Sequence, residues 1–191
     1  MTMTDMIKQL VRPVFCVMLL TSSPALLATQ ICRDGIPSTT PDSQLVDNGD
    51  GTVTDSKTGL MWKQCSEGLS GSDCNTGTRA GFGAQSALTY VASLNSGDGF
   101  AGHRDWRVPN IKELHSIIDH HCVNPALNPH RFPDSSQEQS LFGNERSYIS
   151  STPDTTLPSF FWAVDVYYGS TADVSAVGRN VSPLRLVRST R

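Results

Sequence analysis

The chain has 191 residues, of which 38% are hydrophobic and 17% are charged, and its formal net charge is −3. This length suits one domain of ordinary size, and the apolar fraction is large enough to form a core, which excludes a wholly disordered chain. The sequence contains no long run of Lys or Arg, so a protein that binds nucleic acid through its positive charge is disfavoured.

Residues 1–28 have the pattern of a secretory signal peptide. Lys8 and Arg12 precede a short apolar stretch over residues 14–20, and the small residue Ala28 closes the segment. This order is typical of exported proteins, and the apolar stretch is far shorter than the roughly 20 residues that span a bilayer. A buried amphipathic helix is the alternative. The mature chain is expected in the periplasm, in the medium or on the cell surface, without a transmembrane segment.

Four cysteines, an even number, follow the predicted cleavage point. They are Cys32, Cys65, Cys74 and Cys122. In an exported chain an even number predicts disulfide bonds, and four cysteines allow three pairings. Cys65 and Cys74 flank a loop rich in Gly and Ser, which favours a bond between them, and a Cys32–Cys122 bond then follows by elimination. Free thiols or a metal site are the alternative, although the sequence has no C-x-x-C motif.

Short strands and turns are predicted in the first third of the mature chain. Residues 29–43 are polar and contain two prolines, so an extended N-terminal segment is expected. Residues 44–63 predict three strands that are joined by dense turn sequences. These strands are placed at Val46, at residues 52–55 and at residues 60–62. Residues 64–81 are predicted to form a loop.

Two helices are predicted in the middle of the chain. Apolar residues at three- and four-residue spacing predict an amphipathic helix over residues 84–94, which Gly97 ends. A capping box from Asn110 to Glu113 predicts the start of a second helix, which is expected to end near His120.

The remaining part of the chain is predicted to contain short strands. Three prolines keep residues 122–146 irregular. Strands are predicted over residues 148–152, 160–168 and 183–188. Two helices in the middle and short strands at both ends predict an α+β domain over residues 44–191.

Five blocks of the sequence resemble the Lcl C-terminal domain family, a bacterial family that is named after the C-terminal domain of a collagen-like adhesin. The blocks lie at residues 47–62, 102–114, 148–152, 161–165 and 185–188. The central block contains Asp105-Trp106-Arg107-Val108-Pro109-Asn110, which is similar to the DWRLPN motif of the family. The order and spacing of the blocks extend the resemblance over nearly all of the mature chain.

The resemblance implies a C-type-lectin-like fold, which is related to the formylglycine-generating enzyme. In such a fold the N- and C-terminal strands pair, and two helices flank a small mixed sheet. This sequence has Leu186 where the family often has Cys, and Cys65 and Cys74 look like a local addition. Because one fold hosts many functions, the resemblance leaves the function open.

Asp47, Asp50 and Asp55 are candidate ligands for Ca²⁺, which prefers oxygen ligands such as carboxylates. The register of an EF-hand is absent, because Val46 would take the first ligand position. Asn-Gly and Asp-Gly pairs also form ordinary hairpin turns, which is the alternative. No cofactor is predicted, and calcium at this turn is the alternative.

Asp105, Trp106 and Arg107 are candidate ligand-binding residues, because a Trp beside an Arg can stack on a sugar and pair with an anionic group. The alternative is that Trp106 fills the core beside the start of a helix. Arg185 and Arg188 are the candidates in the C-terminal segment, where they could form a patch for a polyanion together with Arg179 and Arg191. Strand alternation would place the side chains of Arg185 and Arg188 on opposite faces.

His115, His120, His121 and Cys122 lie close together in the sequence and are candidate zinc ligands, since imidazole and thiolate bind zinc. The alternative is that Cys122 forms a disulfide and that the helix dipole favours histidines near a helix C-terminus. Residues 150–152 carry three hydroxyls, but no nucleophile elbow surrounds them, so a hydroxyl-rich strand is the better interpretation.

The leading functional hypothesis is an exported, non-catalytic, lectin-like module that binds a glycan, a polyanion or an envelope protein. The loops at residues 64–81 and 122–146 would carry the binding site. A metal-assisted or cysteine-based enzyme on the related fold is the second hypothesis. A subunit of a surface assembly, in which the chain would form a homo-oligomer, is the third.

Overall fold

The computed structural model describes residues 30–136, 146–157, 159–175 and 181–191. Within these residues lie two α-helices and thirteen short strands, and every strand pair is antiparallel. The α+β class is thereby confirmed. The predicted signal peptide, residues 1–28, lies outside the described residues.

The strands are short because turns and prolines interrupt the chain frequently. Their bounds are β1 Ile31–Cys32, β2 Leu45–Asp47, β3 Thr52–Asp55, β4 Leu60–Lys63, β5 Leu69–Ser70, β6 Thr76–Gly77, β7 Gly81–Phe82, β8 Cys122–Val123, β9 Ser147–Pro153, β10 Phe160–Asp165, β11 Ser170–Ser175, β12 Ser182–Pro183 and β13 Val187–Ser189. The helices are α1 Ala84–Ser96 and α2 Ile111–Ser116. Two 3-10 turns, Asp42–Gln44 and Pro133–Ser136, complete the elements.

The largest sheet has four strands in the order β13-β4-β3-β2. Val53, Trp62 and Val187, from three of its strands, are buried in the core. The last strand, β13, pairs with β4 at one edge of this sheet. The first strand, β1, lies outside this sheet and pairs with β8. All pairs in this sheet are antiparallel, so the mixed arrangement that the resemblance implied is absent from it.

A second sheet has the order β11-β10-β9 and differs from the prediction. The predicted strand over residues 160–168 ends at Asp165, and β11 was not predicted. The Oδ1 atom of Asp165 accepts the N–H groups of Tyr167 and Tyr168, at 2.8 and 3.1 Å, and this turns the chain back on itself. Val166 is buried although it lies in the turn, so the apolar pattern runs on past the end of the strand.

The capping box at the start of α2 is confirmed. Asn110 Oδ1 accepts the Glu113 N–H at 3.0 Å, and Glu113 Oε2 accepts the Asn110 N–H at 2.8 Å. The helix ends at Ser116, however, and not near His120. Ile117 and Ile118 follow in irregular backbone and are each 1% exposed. Because both residues are apolar and follow the helix directly, the sequence pattern resembled that of a longer helix.

The predicted strand over residues 183–188 is divided between β12 and β13. The backbone between them pairs with β4 and the loop after it, because Leu184 O accepts the Glu67 N–H and Leu186 O accepts the Lys63 N–H. Leu184 and Leu186 are fully buried. The predicted loop over residues 64–81 also contains a small hairpin, β5–β6.

Two disulfide bonds join distant and local parts of the chain. Cys32–Cys122 links β1 to β8, and Cys65–Cys74 closes the segment that carries β5. The pairing that was predicted by elimination is therefore the one in the structure. The N-terminal segment is also held at Asp119, whose carboxylate accepts the Ser38 hydroxyl at 2.5 Å and the Thr39 N–H at 3.0 Å.

No helix in the described part of the chain is both long and apolar enough to cross a membrane.

Candidate functional site

A cleft lies between the turn at residues 47–51 and the loop that the Cys65–Cys74 disulfide closes. Its volume is about 410 Å³. This is within the range of about 300–1,000 Å³ that small-molecule sites occupy. We call it the loop cleft. Its lining includes Asp47, Asp50, Lys63, Gln64, Leu69 and Phe100.

The acidic turn forms one wall of the loop cleft. Asp47 Oδ1 accepts the Gly49 N–H at 2.8 Å, and Asp50 Oδ1 accepts the N–H and the hydroxyl of Thr52 at 3.0 and 2.5 Å. These bonds are the reason that Asp residues suit this turn. In the described structure the Oδ2 atom of each carboxylate has no hydrogen-bond partner, so both can accept further bonds.

Gln64 follows directly after β4 and lines the loop cleft. Its backbone N–H donates to Gly51 O at 2.8 Å, which ties the end of β4 to the acidic turn. Only 7% of the residue is exposed, and the residue lines the loop cleft. Among the described residues its amide has no hydrogen-bond partner. The amide is therefore free to donate to and to accept from a ligand in the loop cleft.

Lys63 contributes little net charge to the loop cleft. Its ammonium lies 2.7 Å from Glu67 Oε1, and both side chains are buried. Tyr90 donates its hydroxyl to Glu67 Oε2 at 2.5 Å, and burial together with this carboxylate raises the pKa of Tyr90. The Lys63 ammonium also lies 4.2 Å from the centre of the Phe100 ring. Asp47 and Asp50 therefore remain as the unmatched charges of the lining.

The predicted ligand residue Trp106 holds the Phe100 segment in place from inside the core. Only 1% of Trp106 is exposed. Its indole N–H donates to Phe100 O at 3.0 Å, and its ring meets the Phe100 ring edge-on at 5.9 Å. Asn95 bonds to both the N–H and the carbonyl of Trp106. Trp106 is therefore a core residue, as the alternative interpretation predicted, and it supports the Phe100 side of the loop cleft.

Asp105 and Arg107, the neighbours of Trp106, form two separate ion pairs at the surface. Arg188 donates to both oxygens of Asp105, at 2.7 and 3.1 Å, and this pair lowers the pKa of Asp105. Arg107 donates to both oxygens of Glu113, at 2.7 and 2.6 Å. Partial burial raises the pKa of Glu113, but the bonds from Arg107 and the Asn110 N–H outweigh it, and the pKa is lowered overall.

Arg185 lies inside the domain and not in a surface patch. It is fully buried and donates to Asp134 Oδ1 at 2.7 Å and to the Tyr148 hydroxyl at 3.0 Å. Asp134 also accepts the Ser66 N–H and hydroxyl, so the bonds connect the loop after β4 with the C-terminal segment. The predicted arginine patch therefore has no contribution from Arg185, and Arg179 lies outside the described residues.

The three acidic candidates for calcium do not converge. Asp55 lies at the far end of β3 from the acidic turn, is fully buried, and accepts bonds from Gln44 at 2.9 Å and from Thr58 at 2.7 Å. Its carboxylate therefore organises the next turn. Calcium at Asp47 and Asp50 alone stays a prediction.

The histidines and Cys122 do not form the zinc site that was considered. Cys122 is bonded to Cys32, so its sulfur is not a free thiolate ligand beside His121. His121 instead pairs with Asp119 at 2.7 Å. The rings of His115 and His120 stack at 5.7 Å, and the hydroxyls of residues 150–152 bond to backbone groups.

Sequence reasoning did not identify Gln64, Lys63 or Phe100. None of them belongs to a motif, and they meet only through the fold. The predicted binding loop over residues 64–81 does form a wall of the loop cleft, whereas residues 137–145 of the other predicted loop lie outside the described residues.

The chain was compared with protein families and with curated proteins. No curated protein matches the chain. The model of the Lcl C-terminal domain matches residues 51–188, which is more than two thirds of the chain. The matched part includes β3 to β12, both helices and most of the loop cleft. The chain therefore belongs to the Lcl C-terminal domain family.

Proposed function

We propose that this chain is an exported, non-catalytic, lectin-like module that binds a glycan in the loop cleft. The observation that carries the proposal is the composition of the loop cleft, which brings Gln64 together with two carboxylates that lack a cationic partner in the described structure and with an aromatic ring. The C-type-lectin-like fold stays a prediction, and the proposal does not depend on it.

The chemistry of the lining suits a sugar. Carboxylate oxygens accept hydrogen bonds from hydroxyls, and an amide both donates and accepts. Asp47, Asp50 and Gln64 supply these groups on two sides of the loop cleft. Phe100 and Leu69 supply apolar surface, against which the C–H face of a sugar ring can pack.

A polyanion is less well supported as the ligand. Arg107 and Arg188 each have a carboxylate partner, and Arg185 is buried with Asp134. These arginines therefore do not supply a free positive patch, and the loop cleft itself carries unmatched negative charge. A polyanion would be repelled there.

Export is supported by the two disulfides, which persist in oxidising compartments and are rare in the cytosol. Intact mass spectrometry of the exported protein tests this part of the proposal. The expected mass is that of residues 29–191 less four hydrogens. A mass that retains residues 1–28, or free thiols that react with an alkylating reagent, would contradict it.

The direct test of glycan binding uses an array of neutral, acidic and amino oligosaccharides with the wild type and Gln64→Met. Met keeps the unbranched shape of Gln and removes the amide. We expect wild-type binding to at least one sugar class, and an affinity that falls about tenfold in Gln64→Met through the loss of one or two buried hydrogen bonds.

The matched control is Gln85→Met, which makes the same change on the exposed side of α1. It should bind as the wild type does. The proposal fails if the wild type binds no sugar of the array, or if folded Gln64→Met binds with unchanged affinity.

A further inference from the structure

The charges of the loop cleft point to a more specific ligand class than a glycan in general. Asp47, Asp50 and Lys63 are the ionisable side chains of its lining. The Lys63 ammonium is matched by Glu67 at 2.7 Å. The two aspartates have no cationic partner in the described structure, so the lining carries an excess of negative charge.

We infer that the loop cleft selects amino sugars that carry a free, protonated amino group, and this inference rests on the proposed glycan binding. The free Oδ2 atoms of Asp47 and Asp50 supply the acceptors. Their Oδ1 atoms already hold the turn through Gly49 and Thr52, so the carboxylates are fixed before a ligand arrives. Charge-assisted bonds to such carboxylates are about twice as strong as neutral ones.

Gln64 adds an acceptor that is independent of the acidic turn. Its amide oxygen belongs to a residue that is 7% exposed, and it has no partner in the described part of the chain. An ammonium has three N–H donors and no acceptor, so two carboxylates and an amide oxygen match its needs. An N-acetyl group has one N–H donor and no charge. A carboxylate or sulfate has no donor and carries a negative charge, which the two aspartates would repel.

Phe100 favours a sugar over a lysine side chain as the carrier of the ammonium. The ring lies in the lining, and its neighbour Lys63 already places one ammonium 4.2 Å from the ring centre. A hexosamine brings both a positive charge and a ring whose C–H groups can pack on Phe100 and Leu69. A lysine side chain brings the charge on a narrow, flexible stem and leaves this apolar surface uncovered.

The test compares two oligosaccharides that differ only in acetylation. A glucosamine hexamer and an N-acetylglucosamine hexamer are titrated into the mature protein by calorimetry at about pH 6, where an amino group is protonated. We expect the glucosamine hexamer to bind at least about tenfold more tightly. We also expect its binding to weaken as salt is raised, because part of the attraction is electrostatic.

Asp47→Asn and Asp50→Asn locate the charge effect. Asn keeps the Oδ1 acceptor that holds the turn and removes the negative charge. Each change should weaken binding of the glucosamine hexamer several-fold and leave the melting temperature nearly unchanged. Asp34→Asn, which removes an exposed carboxylate outside the loop cleft, should have no effect on affinity.

Each other outcome overturns the inference in a recognisable way. Equal binding of the two hexamers, or tighter binding of the acetylated one, removes the amino-sugar selectivity and leaves glycan binding in place. Tighter binding of a lysine tetrapeptide than of the glucosamine hexamer replaces the sugar with a basic peptide. Tighter binding of an acidic oligosaccharide, sensitive to Gln64→Met, reverses the charge argument. If no sugar binds, both the inference and the proposed function fail.

Discussion

At the scale of single residues, Arg185 and Arg188 show how burial gives two similar side chains different roles. They stand three positions apart in the C-terminal segment. Arg185 is fully buried and pairs with Asp134, whereas Arg188 pairs with the exposed side chain of Asp105. Removal of one partner of a buried pair leaves an uncompensated charge in the core, which a surface pair does not.

We therefore expect Arg185→Met to lower the free energy of unfolding by about 3–5 kcal/mol. Arg188→Met is the matched control and should lower it by less than about 1 kcal/mol. Urea unfolding measures both. Equal losses for the two arginines would contradict this account of the core.

His115 makes the stability of the domain sensitive to mild acid. Its pKa is lowered from the ordinary value. Partial burial is the larger cause, and the neighbouring His120 is the smaller one. The unfolded chain then binds a proton at this position at higher pH than the folded chain does. Stability is therefore present above the ordinary His pKa and is lost as the pH falls through the lower value of the folded state.

The urea midpoint of the wild type should fall between pH 7.5 and pH 5.5 by more than that of His115→Gln. A glutamine can keep a bond to the Thr171 hydroxyl, which His115 contacts at 2.9 Å, and it does not titrate. Identical pH dependence in the two proteins would show that His115 titrates in the folded state as it does in the unfolded chain.

At the scale of elements, local signals predicted the parts of the fold that depend on neighbours in sequence. The capping box of α2 and the acidic turn before β3 are held by bonds within a few residues, and both were predicted. The end of α2 was not, because Ile117 and Ile118 are buried by contacts with distant segments. Strand β11 has exposed positions and was missed for lack of an apolar pattern.

The candidate site was predicted in part for the same reason. The loop over residues 64–81 was recognisable from its composition and from its two cysteines. Gln64 was not, because its lack of a hydrogen-bond partner is a property of the folded cleft. Trp106 had a visible motif, but the motif does not tell whether the ring lies at the surface or behind Phe100.

The two disulfides should contribute unequally to stability. Cys65 and Cys74 are 9 positions apart, and Cys32 and Cys122 are 90 apart. In the chain-entropy treatment these separations correspond to about 2–3 and about 4–5 kcal/mol of stabilisation. Because the shorter loop forms a wall of the loop cleft, its bond also restricts the site.

Thermal unfolding of the paired serine variants tests this expectation. Cys32→Ser with Cys122→Ser should lower the melting temperature more than Cys65→Ser with Cys74→Ser. The second variant should remain folded and lose most of its sugar affinity. A larger thermal effect of the short loop, or full affinity without its disulfide, would contradict the assignment of these roles.

At the scale of the whole molecule, a few contacts hold the N-terminal segment and the C-terminal strand against the rest of the domain. The N-terminal segment is fixed by Cys32–Cys122 and by Asp119, and the C-terminal strand is fixed between β4 and Arg107. Cys32, Cys122, Asp119 and Arg107 are not among the residues that line the loop cleft. The candidate site is therefore formed by a turn and a disulfide-closed loop, and other contacts stabilise the strands and helices that support them. Binding residues on loops above a stable scaffold are common in proteins.

The measurement that tests the central claim most directly is the location of a bound sugar by NMR. The oligosaccharide that binds best in the array is titrated into ¹⁵N-labelled mature protein. We expect amide shifts at residues 49–51, at Gln64 and at residues 69–72, with little change around α1 or His115. Shifts confined to other surfaces, or the absence of binding by every sugar of the array, would contradict the account.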